Sequence, residues 1–195
     1  GCASQIYHQH FEHLGLAHYL MESVAMVTRR CLPKSHPLCA LLAPHLIGTL
    51  AINRFARQTL VNNGGNLDEY ISCDIEAFRQ ASAKSIYETD LLARIPAVDL
   101  ANRDVSGLPY YPYRDDIVLY WDAIHAYVSE FLSVFYTSQS DLDNDLNTSI
   151  GGELGDWWKE LTTDLDVGTS IGALKGLKFG SLNSIDDLVN VVTFI

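Results

Sequence analysis

Two histidines, His13 and His18, lie five residues apart in the otherwise apolar stretch HFEHLGLAHYLMES. Residues three or four apart share one face of an α-helix, whereas five steps of about 100° leave two side chains roughly 140° apart. A π-helical turn, with hydrogen bonds between residues five apart, would bring both imidazoles to one side, and such turns concentrate at functional sites. Imidazole suits iron, zinc, copper or nickel. The spacing therefore leaves two alternatives: a metal site on a locally π-helical segment, or unrelated polar residues on a partly exposed helix.

The elements that must position these histidines are almost all helical. Hydrophobic periodicity predicts a long helix over residues about 4–31, which ends before Pro33. Ser35 is expected to cap a short helix that begins near Pro37, and Ser184 with Asp187 forms a capping-box pattern at the start of a last helix. The Pro- and Gly-containing residues 90–114 are expected to form a loop. The fold class is therefore all-α, with further helices predicted over 45–61, 74–86, 116–136 and 156–163.

Composition limits the classes of partner. The chain has 195 residues, of which 48% are hydrophobic and 19% charged, and its net charge is −11. Such a charge argues against nucleic acid as a partner, because that binding depends on basic patches. No apolar run is long enough to predict a transmembrane segment, although peripheral membrane contact stays open. The four cysteines form no CxxC pair, which favours reduced thiols and a cytoplasmic location.

Residues 13–65 resemble the iron-ligand region of the lipoxygenases, and residues 108–124 resemble a second segment of that family. The second segment reads LPYYPYRDDIVLYWDAI. The resemblance covers most of the chain. In the first segment it is carried by His13-Leu14, His18, Glu22, Arg30-Cys31-Leu32, His36-Pro37, Leu41-Leu42-Ala43-Pro44-His45, Ile52-Asn53, Ala56-Arg57 and Leu60.

The resemblance implies a mononuclear non-heme iron with His13 and His18 as two of its ligands, brought together by a π-helical stretch. His8 and His45 are expected to support the ligands through hydrogen bonds rather than to bind the metal. Four apolar residues are expected to line the channel for substrate or oxygen: Leu14, Ile52, Ala56 and Leu60. Without the resemblance, these four would be read as ordinary core at helical spacing.

The chemistry that the resemblance implies is dioxygenation of polyunsaturated fatty acids by O2, giving conjugated hydroperoxides. No side chain is expected to act as the catalytic acid or base, because in this family a hydroxide on the iron accepts the hydrogen. Ala56 matches a position where the family carries Ala with S-type and Gly with R-type stereochemistry. Leu60 resembles a leucine that shields one end of the pentadiene.

The family also needs a third histidine, an Asn or His four residues later and a terminal isoleucine carboxylate. No histidine follows His125, and Ile195 falls within the predicted last helix rather than at the family's terminal position. We therefore expect residues 1–195 to be the first half of a catalytic domain, without the N-terminal β-barrel and the C-terminal iron-ligand half. The isolated chain is expected to have negligible activity. The alternatives are a helical protein without metal, and a degenerate lipoxygenase-like protein that binds lipid without turnover.

Overall fold

The computed structural model describes residues 2–163 and 178–195, and every regular element in these ranges is a helix. None of the helices described there is both long and apolar enough to cross a membrane. Two 3₁₀ turns, Leu92–Arg94 and Thr148–Ile150, lie between longer elements. In chain order the helices are α1 (Cys2–Tyr7), π1 (His8–Leu20), α2 (Met21–Cys31), α3 (Pro37–Leu42), α4 (Thr49–Thr59), α5 (Asn66–Tyr70), α6 (Ile75–Glu88), α7 (Pro96–Asn102), α8 (Pro112–Ser133), α9 (Gln139–Leu146), α10 (Glu153–Thr162) and α11 (Ile185–Phe194).

The first three helices follow one another without a break, so the predicted long N-terminal helix is present and ends at Cys31. Its central segment, π1, is π-helical over thirteen residues and carries both His13 and His18. Of the two alternatives that the five-residue spacing left open, the structure has the π-helical one, and π1 is longer than the single-turn bulges that are usual in proteins. The next helix, α2, buries Val24 and Val27 completely.

The contacts divide the chain into two compact units, of which the first comprises the described residues 2–89 and 157–163. In this unit α6 packs against π1, and α2 packs against α4. A small hydrophobic cluster lies under π1 and joins Leu14 to Val61, Ile75 and Phe78. These contacts bury one side of π1, because Leu14 is only 8% exposed.

The second unit comprises residues 90–156 and 178–195. Its longest helix, α8, packs against α7 and α11 and buries Val128 and Leu132. The capping box predicted for α11 is confirmed. The Asp187 N–H donates to the Ser184 hydroxyl at 3.1 Å, and the Ser184 N–H donates to the Asp187 carboxylate at 3.0 Å.

Four sequence-based expectations were wrong or incomplete. Residues 90–114 contain α7, because Pro96 occupies the first turn, where its missing N–H costs nothing. The helix expected over 45–61 begins only at Thr49, since Gly48 has a left-handed backbone with φ +85°. The cap of α3 is His36 instead of Ser35. Helix α9, with its own capping box, was missed in an acidic stretch that shows little apolar periodicity.

Candidate functional site

The side chains of His13 and His18 meet on one side of π1. Their Nε2 atoms lie 3.1 Å apart, and their ring centroids are separated by 4.8 Å with an interplanar angle of 65°. A regular α-helix would point the two rings in different directions. The π-helical backbone is therefore what converts the five-residue spacing into a pair of converging imidazoles.

Hydrogen bonds at the other ring nitrogen orient both imidazoles. His13 Nδ1 lies 2.7 Å from the side-chain oxygen of Gln9, and His18 Nδ1 lies 2.7 Å from Oδ1 of Asn53. An amide oxygen accepts hydrogen bonds, so each contact favours the tautomer that carries its proton on Nδ1. In that tautomer Nε2 carries the lone pair, and the two Nε2 atoms face each other.

This arrangement fits two ligands of one metal ion. Two imidazole nitrogens bound about 2.0–2.1 Å from a metal at a right angle would be roughly 3 Å apart, close to the 3.1 Å separation of the two Nε2 atoms. A carbonyl acceptor on the far nitrogen is also the usual support of a metal-binding histidine. Partial desolvation beside the cavity lowers the pKa of His13, and the nearby His18 and His8 lower it further, which favours the neutral imidazole. Across residues 2–163 and 178–195, no three His, Cys, Asp or Glu side chains are grouped to hold a metal.

A network of polar side chains connects His18 to α4. The Asn53 amide donates to the His18 carbonyl oxygen and to the Glu22 carboxylate, each at 2.9 Å. Arg57 donates to both carboxylate oxygens of Glu22, at 2.6 and 2.7 Å. Burial raises the pKa of Glu22, but the hydrogen bonds from Arg57 and Asn53 outweigh it and hold the pKa below its usual range. Glu22 is therefore an ionised, paired carboxylate.

The sequence did not predict the roles of Asn53, Glu22 and Arg57, which were named only among the residues that carry the family resemblance. One signal was present: His18 and Glu22 are spaced by four residues, and so are Asn53 and Arg57. Residues four apart share a helix face, so each pair could be placed on one side of its own helix. That the two faces meet could not be read from the spacing.

A cavity of about 500 Å³ opens beside the histidine pair and is lined mainly by apolar side chains. The structure brings His13 and His18 together here with all four residues predicted to line a channel: Leu14, Ile52, Ala56 and Leu60. Phe55, Leu67, Ile71 and Phe78 extend the apolar wall. That substrate or oxygen uses this space stays a prediction.

The two histidines expected to support the ligands lie elsewhere. His8 is exposed at the start of π1, close enough to His13 to lower its pKa. His45 is also exposed and is not among the residues that line the cavity. The sequence predicts that His45 begins a helix, but residues 43–48 form turns instead. His36 is buried, and its Nδ1 accepts the Leu38 N–H at the start of α3.

The fold and the site together define an all-helical protein with a pair of converging histidines on a π-helix beside an apolar cavity. The lipoxygenase family model matches residues 2–195. The chain belongs to the lipoxygenase family.

Individual relatives agree with this assignment. The chain is 33% identical over 196 residues to a linoleate 9/13-lipoxygenase of Pseudomonas aeruginosa, covering 99% of this chain and 26% of that protein. It is 31% identical over 188 residues to the polyunsaturated fatty acid lipoxygenase ALOX8 of Mus musculus, covering 96% of this chain and 26% of that protein. The solved structure of coral 8R-lipoxygenase superimposes with a TM-score of 0.83 at 29% identity, over 100% of this chain and 28% of that one. The chain thus spans about a quarter of the length of the curated relatives.

Proposed function

We propose that this chain forms part of the active site of a lipoxygenase, which dioxygenates polyunsaturated fatty acids to hydroperoxides with a mononuclear non-heme iron. The observation that carries the proposal is the 3.1 Å separation of the His13 and His18 Nε2 atoms beside an apolar cavity. His13 and His18 would hold the iron through these atoms. When bound, the iron would supply the one-electron chemistry that removes a hydrogen atom from the fatty acid.

The residues of the chain itself would bind and orient the substrate. An apolar cavity of about 500 Å³ suits the hydrocarbon part of a fatty acid, since burial of each CH₂ group is worth about 0.8 kcal/mol. Leu14 is adjacent to His13 in sequence and buried, so it would hold the substrate chain near the histidines. Ile52 and Leu60, one helical turn to either side of Ala56, would exclude water from the reacting carbons.

Ala56 would control where oxygen enters. It lies between Ile52 and Leu60 on the cavity side of α4 and is half-buried. Its single methyl group is the smallest side chain among the residues that line the cavity on this helix. We assign it the S-type stereochemistry that the family pattern implies, with Leu60 shielding one end of the pentadiene.

The remaining ligands are proposed to come from sequence outside residues 1–195. His13 and His18 converge here, no third His, Cys, Asp or Glu is grouped with them in the described part of the chain, and the chain spans about a quarter of its curated relatives. The chain would then be the first half of a catalytic domain and would have negligible dioxygenase activity alone, because metal affinity depends on several converging ligands. A cytoplasmic location belongs to the same proposal and is supported by Cys39 and Cys73, which form no disulfide.

The test uses the protein expressed from the complete reading frame that encodes this chain. We expect about one iron per protein, and formation of conjugated dienes from linoleate. His13→Ala and His18→Ala should each abolish both. His45→Ala is the control, because His45 is exposed and lies outside the cavity lining. If the protein binds linoleate but contains no iron and forms no conjugated dienes, the proposed enzymatic function is refuted. The non-catalytic lipid-binding alternative then remains.

A further inference from the structure

The two histidines of the pair are held very differently. The imidazole of His13 is exposed, and its hydrogen-bond partner Gln9 is an exposed side chain on the same helix. The partner of His18 is Asn53, which lies on another helix and is only 2% exposed. The orientation of His18 therefore depends on the contact between π1 and α4.

The amide of Asn53 has two orientations related by a 180° rotation, and its neighbours permit only one. The Asn53 nitrogen donates to the His18 carbonyl oxygen and to the Glu22 carboxylate. Rotation would place the amide oxygen against that carboxylate and that carbonyl, with no donor between them. The Asn53 oxygen must consequently face Nδ1 of His18.

Glu22 can fix Asn53 only while its own carboxylate is ionised and held in place. Arg57 does this with two parallel hydrogen bonds, the geometry that carboxylates bind most strongly. The Glu22 side chain is 12% exposed and that of Arg57 is 47% exposed, so the carboxylate is the more buried member of the pair. Removal of the guanidinium would leave a poorly solvated carboxylate that must protonate or rotate.

We infer that Glu22 and Arg57 are positioning residues, which act through Asn53 to hold His18 as the Nδ1–H tautomer with Nε2 free for a metal. The metal rests on the proposed function, whereas the tautomer does not. Neutral histidine in water favours the opposite tautomer, with the proton on Nε2. The network thus sets the tautomer of His18 before a metal binds.

The direct test is ¹⁵N NMR of the histidine rings in the tag-free, metal-free protein expressed from the complete reading frame, near pH 7.5. His18 of the wild type should give the Nδ1–H pattern. In Arg57→Met and Asn53→Ala the pattern should move toward Nε2–H, and Arg57→Lys should restore part of the wild-type signal. Arg54→Met is the matched control, since Arg54 is an exposed arginine on the same helix and lies outside this network.

A second measurement is Ni²⁺ titration by calorimetry, because Ni²⁺ is stable in air and binds imidazole sites more tightly than Fe²⁺. Loss of a group that orients a metal ligand typically weakens affinity about 10- to 100-fold. We expect a decrease in this range for Asn53→Ala, a decrease near its lower end for Arg57→Met, and none for Arg54→Met.

The possible outcomes separate the two proposals. An unchanged Nδ1–H signal in Arg57→Met with native helix content would overturn the inference, whether or not metal binds. A shift in Asn53→Ala alone would assign the orientation to Asn53 and overturn the roles of Glu22 and Arg57. The predicted tautomer shifts without Ni²⁺ binding to the wild type would support the positioning network and count against the proposed metal site.

Discussion

Replacement of Ala56 by glycine tests whether the cavity controls the approach of oxygen. Ala56 lies on α4 between Ile52 and Leu60, and all three line the cavity beside the histidine pair. Ala56→Gly removes one methyl group from this wall and leaves the ligands untouched. We expect the product of the enzyme to shift from mainly S toward R, with oxygen added at a different position of the pentadiene and iron content unchanged.

The size of the effect can be worked out in two parts. A methyl group that obstructs an otherwise packed approach costs about 1–3 kcal/mol, so its removal should change the S to R ratio about fivefold or more. Glycine within a helix costs about 1 kcal/mol, and the half-buried methyl adds a fraction of about 0.8 kcal/mol. The Leu60 and Val61 N–H groups donate to the Ala56 carbonyl oxygen and do not depend on the side chain. In a protein about four times as long as this chain, the Tm should therefore fall by no more than about 2 °C.

The assay is chiral chromatography of the hydroperoxides formed by the protein from the complete reading frame. Ala51→Gly supplies the matched control, since Ala51 is exposed on the same helix and does not line the cavity. It should lower the Tm by a similar amount and leave the S to R ratio unchanged. If a folded, iron-loaded Ala56→Gly enzyme gives the same ratio as Ala51→Gly, then Ala56 is ordinary helix surface and the reasoning fails.

Three further predictions concern the chain itself. Thr28→Val should lower the free energy of unfolding by about 1–3 kcal/mol, because the fully buried Trp157 indole N–H would lose its acceptor at 3.0 Å; urea denaturation that shows no loss would contradict this. His13→Ala should abolish Ni²⁺ binding in calorimetry while the exposed His8→Ala retains it, and equal losses would indicate a different site. The isolated 195-residue chain should form no conjugated dienes from linoleate; steady diene formation would show that two histidines suffice.

The local features of the fold could be predicted from the sequence because each depends on residues close together in the chain. Two histidines five residues apart could meet only on a distorted helix, and π1 has that distortion. The pattern of Ser184 and Asp187 predicted a capping box that is present at α11. The local sequence predicted the wrong structure at two places where another local structure has a similar free energy. His36 rather than Ser35 caps α3, and residues 90–114, which were expected to form a loop, include α7.

What only the tertiary structure decided is how distant residues meet. Asn53 and Arg57 reach His18 and Glu22 across 35 residues of sequence, because α4 packs against α2 and π1 with one particular face. The same packing brings Ile52, Ala56 and Leu60 to the cavity beside the histidines, and it leaves His45 exposed in a turn. Helical periodicity determines which side chains share a face, but it does not indicate which other helix packs against that face. That choice depends on shape and polar complementarity between helices, which arises only when the chain folds.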